Sequence, residues 1–148
     1  MILPTNTREL LENYWTEFSQ YLELESRKLP ISNNTHNTWY NFPLGTSLGT
    51  LEAVINTKGS NRVELRIHGT RSTETYQKLE LMYRDSFAKE LGNVIWDPMP
   101  NNILKRVYVE QDADIYQHEN WAKQFTWLKE NLEVFYVFFK PKLKKLNS

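Results

Sequence analysis

The sequence predicts an α+β domain in which three helices pack on a five-stranded antiparallel sheet. Two observations carry this prediction. Residues 117–140 repeat apolar side chains every three or four positions, which is the spacing of one helix face. Residues 62–68 alternate between polar and apolar side chains, as a strand with one buried face does. The elements follow one another in the order α-β-β-β-α-β-β-α.

The first helix is predicted over residues 6–24. Asn6 and Glu9 have the spacing of a capping box, in which the two side chains satisfy free backbone N–H groups at a helix start. One face is apolar and largely aromatic, and the opposite face is acidic. The apolar face consists of Leu10, Leu11, Tyr14, Trp15, Phe18, Tyr21 and Leu22. Since aromatic residues make up 14% of the chain, the core is expected to consist largely of rings.

Three strands are predicted after a polar loop at residues 30–38. They span residues 39–44, 50–56 and 62–68, and glycines lie in the turns between them. The tetrapeptide at residues 58–61, Lys-Gly-Ser-Asn, is typical of a hairpin turn. The alternating pattern therefore predicts an antiparallel meander with one buried face.

A second helix is predicted over residues 74–91, with Ser72 or Thr73 as its cap and Gly92 directly after its end. Two short strands follow at residues 94–96 and 103–110. In the second of them Ile103, Val107 and Val109 are expected to point inward.

The last helix is expected to begin near Asp114, with Gln117 completing the cap, and to end at Pro141. Proline inside a helix costs about 3 kcal/mol, which is why Pro141 is taken as the end. The prediction is one domain over residues 1–140, followed by a short basic tail at residues 141–148. The main apolar face of this helix consists of Trp121, Phe125, Leu128, Leu132, Phe135 and Phe139.

A second apolar stripe on the same helix consists of Trp127, Val134 and Phe138. Soluble monomers rarely leave such a stripe open, so it is a candidate partner interface. It is covered either by the first helix, by a second copy of the chain about a two-fold axis, or by another protein. The first helix is the preferred cover because it carries more aromatic surface than the sheet needs. The chain is thus expected to be a monomer or a homodimer.

Composition limits the classes of function. Lysine and arginine number 18, aspartate and glutamate number 18, and the net charge is zero, so no overall field attracts nucleic acid or an anionic membrane. The chain has no cysteine, which excludes disulfides and thiolate chemistry. It shows neither a signal peptide nor an apolar run long enough for a membrane span. A cytoplasmic, soluble protein without membrane contact is the expectation.

A serial pattern of aromatics and glycines extends over almost the whole chain. It comprises Tyr14, Trp15 and Phe18, Trp39 with Phe42, Leu44 and Gly45, the strand at residues 62–67, Leu79 with Arg84, residues 90–92, and Trp96, Trp121, Trp127 and Phe135. In this pattern the chain resembles the bacterial and archaeal domain of unknown function 4268 family. The resemblance implies a module often placed C-terminal to a nuclease-like domain of the PD-(D/E)XK type. It implies no catalytic residues for this module. Ser86 and Phe87 stand where the family tends to have an Ile-Glu pair.

No constellation in the sequence predicts an enzyme. The Asp/Glu-x-Lys tripeptide of a metal-dependent nuclease is absent from the chain. The three histidines, His36, His68 and His118, lack zinc-ligand spacing. The acid cluster at residues 110–114 is interpreted as helix capping, with a hard-cation site as the alternative. We therefore expect no metal and no cofactor.

The outward face of the strand at residues 62–68 is the candidate nucleic-acid surface. It is expected to hold basic side chains together with one aromatic ring, which is a combination that binds nucleic-acid backbone and bases. The candidate residues are Lys58, Arg62, Arg66, His68, Arg71, Arg106 and Tyr108. Two alternatives stay open: a solvated face with cross-strand Arg–Glu pairs, and a surface for a protein partner.

The function expected from these observations is a non-catalytic recognition or interaction module. The resemblance associates it with DNA processing or with defence against foreign DNA, including phage DNA. Its partner would be DNA, a nuclease or another protein. The alternative is a protein-binding inhibitor, immunity-type protein or adaptor that does not contact nucleic acid.

Overall fold

A computed structural model describes the backbone of residues 4–30 and 35–147, and the side chains of residues 7–30 and 35–147. Three α-helices and six strands make up the fold of these described residues. The helices are α1 (Pro4–Glu25), α2 (Ser72–Ala88) and α3 (Trp121–Leu146). The strands are β1 (Thr35–His36), β2 (Trp39–Pro43), β3 (Gly49–Asn56), β4 (Ser60–Ile67), β5 (Ile95–Asp97) and β6 (Lys105–Asp112). They form one antiparallel sheet in the order β1-β2-β3-β4-β6-β5.

The predicted α+β class, the three helices and the antiparallel sheet are confirmed, with six strands in place of five. The additional strand, β1, lies where a polar loop was expected. It pairs with β2 through a tight turn in which Asn37 has φ of +44°. Asparagine tolerates this left-handed conformation better than most residues, so a polar segment can still form a hairpin.

The core lies between one face of the sheet and the three helices. Tyr40 and Trp96 show this arrangement, because both point to the inward face of the sheet. The ring of Tyr40 contacts Trp15 and Phe18 of α1. The ring of Trp96 contacts Tyr76 of α2 and Phe139 of α3. All three helices therefore cover the same face and leave the other face without helical cover.

The predicted end of the last helix was wrong. Pro141 lies inside α3, which continues to Leu146. A proline has no N–H to donate to the carbonyl of Val137, one turn earlier. Leu143 is completely buried after this point, and burial of a leucine contributes about 1.5–3 kcal/mol. The burial of Leu143 offsets much of the free-energy cost of the proline, so the helix continues to Leu146.

The predicted starts of the helices also require correction. α1 begins at Pro4, ahead of the expected cap at Asn6, and proline is favoured in a first turn. Ser72 does not cap α2, because its hydroxyl donates to the carbonyl of Ile103. Asp114 does not cap α3; its carboxylate accepts from the backbone N–H of Tyr116, and a 3-10 turn, His118–Asn120, precedes the helix.

Two further details differ from the sequence prediction. α2 ends at Ala88, so Gly92 lies beyond it and not directly after it. Ile103 is outside β6 and 64% exposed, and Lys105 takes the inward position that was expected for an apolar residue. The Lys105 ammonium can be buried there because it donates to the carbonyls of Met99 and Asn102, at 3.1 and 2.6 Å.

Candidate interaction surfaces

The outward face of the sheet carries four of the seven residues predicted to bind nucleic acid. Arg62, Arg66, Arg106 and Tyr108 lie side by side on β4 and β6, where Arg66 is directly opposite Arg106. The other three lie outside this group. Lys58 is in the turn before β4, His68 follows β4, and Arg71 pairs with Glu74 at the start of α2.

The three arginines belong to a network that we call the arginine–carboxylate lattice. Its acidic members are Glu52 on β3, Glu64 on β4, Asp97 on β5 and Glu110 on β6. Glu52 and Glu64 lie next to one another across the strands and are only 4% and 5% exposed. Buried carboxylates are stable only when they are paired and hydrogen-bonded, and here the arginines supply both kinds of interaction.

The ion pairs of the lattice connect four strands. Arg66 donates to Glu52 at 3.1 Å and lies 3.4 Å from Glu64. Arg62 reaches Glu64 at 3.3 Å and Glu110 at 3.0 Å. Arg106 reaches Glu64 at 3.3 Å and Asp97 at 3.0 Å. Every arginine of the face thus contacts two carboxylates.

The lattice changes the electrostatic character expected for this face. It holds three arginines and four carboxylates, so its own net charge is −1. The sequence prediction placed basic side chains and one aromatic ring on this face, whereas Glu52 and Asp97 join the face from the strands β3 and β5. The cross-strand Arg–Glu pairing that was considered as an alternative is present, and nucleic-acid binding by this face remains a hypothesis.

Arg106 and Asp97 show how the lattice shifts ionisation. Burial by itself raises the pKa of Asp97, but hydrogen bonds from the Arg106 guanidinium and the Met99 backbone outweigh burial and hold that pKa below its usual value. Burial by itself lowers the pKa of Arg106, but the hydrogen bond to Asp97 and the charge of Glu64 outweigh burial and raise it. The charged forms therefore stabilise one another.

Tyr108 lies at the centre of the exposed part of the lattice. The guanidinium carbons of Arg62 and Arg106 are 4.2 and 4.8 Å from the centre of its ring. Such cation–π contacts contribute about 0.5–1 kcal/mol at exposed sites. Because two cations already contact this ring, it is less available for stacking on a nucleic-acid base than the sequence suggested.

The second surface is an open cleft across α3, which we call the α3 cleft. Its volume is about 720 Å³, and it lies between the C-terminal end of α2 and the residues that follow α1. Val134, Val137 and Phe138 form an apolar floor. The rim carries both signs of charge: Lys28, Lys89 and Lys142, and Glu90, Glu130 and Glu133.

The α3 cleft contains two of the three residues predicted as a partner interface, Val134 and Phe138. Trp127 is half-buried against the core and does not line the cleft. Val137, which the sequence reading left out, is 55% exposed on the floor. Its signal was its spacing, since Val134, Val137 and Phe138 lie at i, i+3 and i+4 on one side of a helix.

The preferred cover for the second stripe was wrong for Phe138. Its ring packs on Phe87 and Tyr83 of α2, at centroid distances of 4.7 and 6.1 Å. α1 lies instead on the main face of α3, where Tyr14 contacts Trp121 at 4.8 Å. α1 has a single apolar face, because its opposite face is acidic. That apolar face packs against aromatic rings of α3 and of the sheet, so it does not cover Phe138.

The described residues offer no metal centre. No group of three or more histidine, aspartate or glutamate side chains among them could hold a metal ion. The acid cluster at residues 110–114 has structural contacts, because Glu110 pairs with Arg62 and Asp114 orders the turn before α3. Within the same described residues no helix has the length and apolar character needed to cross a membrane.

The fold and these surfaces define a two-layer α+β domain with an open, charged sheet face and a cleft on its helical layer. The chain belongs to the family described as "Domain of unknown function (DUF4268)", which it matches over residues 10–143. It has no significant match among the curated proteins or the solved structures.

Proposed function

We propose that this domain is a non-catalytic recognition module whose partner is a protein, bound at the α3 cleft. The observation that carries the proposal is the apolar floor formed by Val134, Val137 and Phe138, with Val137 more than half exposed. An apolar centre with a charged rim is the usual composition of a protein–protein interface. A helix or loop of the partner would place apolar side chains on the floor and polar ones against the rim.

The arginine–carboxylate lattice supports a protein partner over nucleic acid. A phosphate backbone is bound by basic side chains whose charge is available, and each arginine of the lattice already contacts two carboxylates. Lys58 is exposed in the turn between β3 and β4, outside the lattice. A protein-binding adaptor, inhibitor or immunity-type protein therefore fits the geometry better than a DNA-binding module.

The setting of DNA processing or defence against foreign DNA is part of the proposal and rests on the family resemblance. In that setting the domain would hold a nuclease or another protein component by protein contacts. The proposal assigns no catalytic role to the domain, and among the described residues no group of three or more histidine, aspartate or glutamate side chains could hold a metal ion.

The test compares wild-type protein with Val137→Glu and with the control Leu81→Glu. Both positions are exposed on helices, and Leu81 is 88% exposed on α2, so both variants should fold. A candidate partner is a protein that wild type and Leu81→Glu capture but that Val137→Glu does not. This partner is purified, and its binding to the three proteins is titrated by calorimetry. A charge in an apolar interface should weaken binding by about 2 kcal/mol or more.

Two results would decide against or refine the proposal. Equal affinity of wild type and Val137→Glu for every captured partner would remove the α3 cleft as the binding site. Light scattering covers the remaining possibility: a mass double that of the 17.7 kDa chain, returned to monomer by Val137→Glu, would identify a second copy as the protein partner.

A further inference from the structure

Strand β6 is paired on both sides for only part of its length. On one side β4 pairs with all of it, from Lys105 to Asp112. On the other side β5 pairs only with Arg106, Val107 and Tyr108. Residues 109–112 therefore have a single partner strand within the described part of the chain.

The backbone itself ends β5 at this point. A continuation of β5 would place Val94 opposite Val109 and Asn93 opposite Glu110. Asn93 has φ of +59°, a left-handed conformation that cannot continue an extended strand. The chain thus turns away and leaves the edge of β6 open at residues 109–112.

An open edge of this kind offers hydrogen-bonding groups at fixed positions. In an antiparallel ladder successive residues direct their N–H and C=O groups to alternate sides. Two of the four residues at 109–112 therefore direct these groups away from β4 and towards the open side. The opposite edge of the sheet is protected differently: beyond the short strand β1, the edge of β2 carries Pro43, and prolines prevent edge pairing.

The charge on the open edge selects the occupant. Glu110 and Asp112 are both exposed, and two-residue spacing places them on the same outward face. Glu110 pairs with Arg62 on the adjacent strand β4, and Asp112 forms no ion pair within the described residues. A second copy of β6 would bring like charges together across the strands, which destabilises the pairing. A strand with basic side chains at alternate positions would pair with both carboxylates.

We propose that the edge of β6 at residues 109–112 accepts an extended segment of a partner protein as an additional strand. That segment carries lysine or arginine at two alternate positions, which face Glu110 and Asp112. Main-chain hydrogen bonds supply the affinity in this mode of recognition, and alternate side chains supply the specificity. The site is separate from the α3 cleft.

The test uses a synthetic probe, the acetylated and amidated peptide Lys-Val-Lys-Val-Lys, added to ¹⁵N-labelled full-length protein. Saturable shifts of the amide signals of residues 109–112 are expected. Glu-Val-Glu-Val-Glu should not produce them. Two further peptides are N-methylated, one at every lysine and one at every valine. Only one of these should lose binding, because only alternate residues of an added strand donate to β6.

Protein variants complete the test. Asp112→Lys should lower the affinity for the lysine peptide by about fivefold or more, since an attractive pair of charges becomes a repulsive one. Asp85→Lys, at an exposed position of α2, is the matched control and should bind as wild type does. Asp112→Asn provides a milder change should the reversal disturb folding. Val137→Glu should bind normally, so failure here and failure of the α3 cleft are distinguishable.

Two outcomes would overturn the proposal. The first is the absence of shifts at residues 109–112 when the peptide is in large excess. The second is equal binding of both N-methylated peptides, which would show attraction by charge alone without strand addition.

Discussion

The hydroxyl of Tyr14 donates a hydrogen bond to Oε1 of Gln124 at 2.7 Å, in the interior of the domain. The same hydroxyl accepts a hydrogen bond from Nδ2 of Asn61 at 3.1 Å. The Gln124 amide in turn donates to the carbonyl of Asp114 at 3.1 Å. Burial raises the pKa of Tyr14 well above its usual value, so the hydroxyl keeps its proton. Three side chains thus join α1, β4 and α3 to the turn that precedes α3.

Replacement of Tyr14 by phenylalanine should destabilise the domain. The ring is kept, but Gln124 and Asn61 each lose a buried partner, and an unsatisfied buried polar group costs about 1–3 kcal/mol. Urea denaturation of Tyr14→Phe measures the loss in unfolding free energy. Tyr116→Phe is the control, because the Tyr116 hydroxyl is in an exposed contact with Thr7. Equal stability of the two variants would contradict the role of the buried network.

Trp121 anchors the start of α3 in the core, as the sequence predicted. Its ring is buried against Tyr14, and its indole N–H donates to the carbonyl of Ile115 at 2.8 Å. Trp121→Ala should lower the unfolding free energy by about 3–5 kcal/mol, the range for a buried large aromatic. Trp127→Ala, at a half-buried tryptophan on the same helix, should lower it by less. A loss below about 1 kcal/mol at Trp121 would contradict its burial.

The sequence was sufficient for features that depend on local periodicity. The main face of α3 and the inward face of β4 follow from spacings of three to four and of two, and both faces are buried. Features that depend on several elements at once were not predicted. Pro141 continues a helix because Leu143 is buried by tertiary packing, and Lys105 is tolerated inside because loop carbonyls receive its ammonium.

The arginine–carboxylate lattice is another feature that depends on several strands at once, and its full membership was not predicted from the sequence. Arg62 and Arg66 could be placed on one face from their alternation alone. Glu52 joins them only through the register of β3 on β4, and Asp97 only because β5 pairs beyond β6. Strand register and the order of strands in the sheet are long-range properties, so the neutralisation of the basic face could not be read from one strand.

The lattice makes a prediction for the double variant Arg62→Ser, Arg66→Ser. Loss of both guanidinium groups leaves Glu52 and Glu64 buried with too few partners, and breaking buried pairs costs about 3–5 kcal/mol. Thermal and urea denaturation should show this loss. Arg84→Ser is the control, since its pair with Glu80 lies exposed on α2. Unchanged stability would mean that the arginines do not support the buried carboxylates.

A binding assay on the wild-type protein tests the hypothesis that the sheet face binds nucleic acid. Fluorescence anisotropy at low salt should show no binding of single- or double-stranded DNA or RNA to the wild-type protein, because the lattice carries no free positive charge. Binding that falls steeply with added salt would contradict this expectation and restore the sheet face as a nucleic-acid surface.

Asp97 gives the last prediction, which concerns pH. Its pKa in the folded protein lies below the usual value of about 4 for an aspartate, through the hydrogen bonds from Arg106 and Met99. A lowered folded-state pKa means that the stabilisation is fully present above the unfolded-state pKa and is lost as pH falls through the folded-state pKa. The unfolding free energy of the wild-type protein should therefore decrease as the pH is lowered below about 4. Part of that decrease should be missing in Asp97→Asn. Asp85→Asn, at an exposed carboxylate of α2, is the control and should follow the wild-type curve. Urea denaturation at a series of pH values gives the three curves. If the Asp97→Asn curve runs parallel to that of wild type through the acid range, the contact with Arg106 does not contribute to folding.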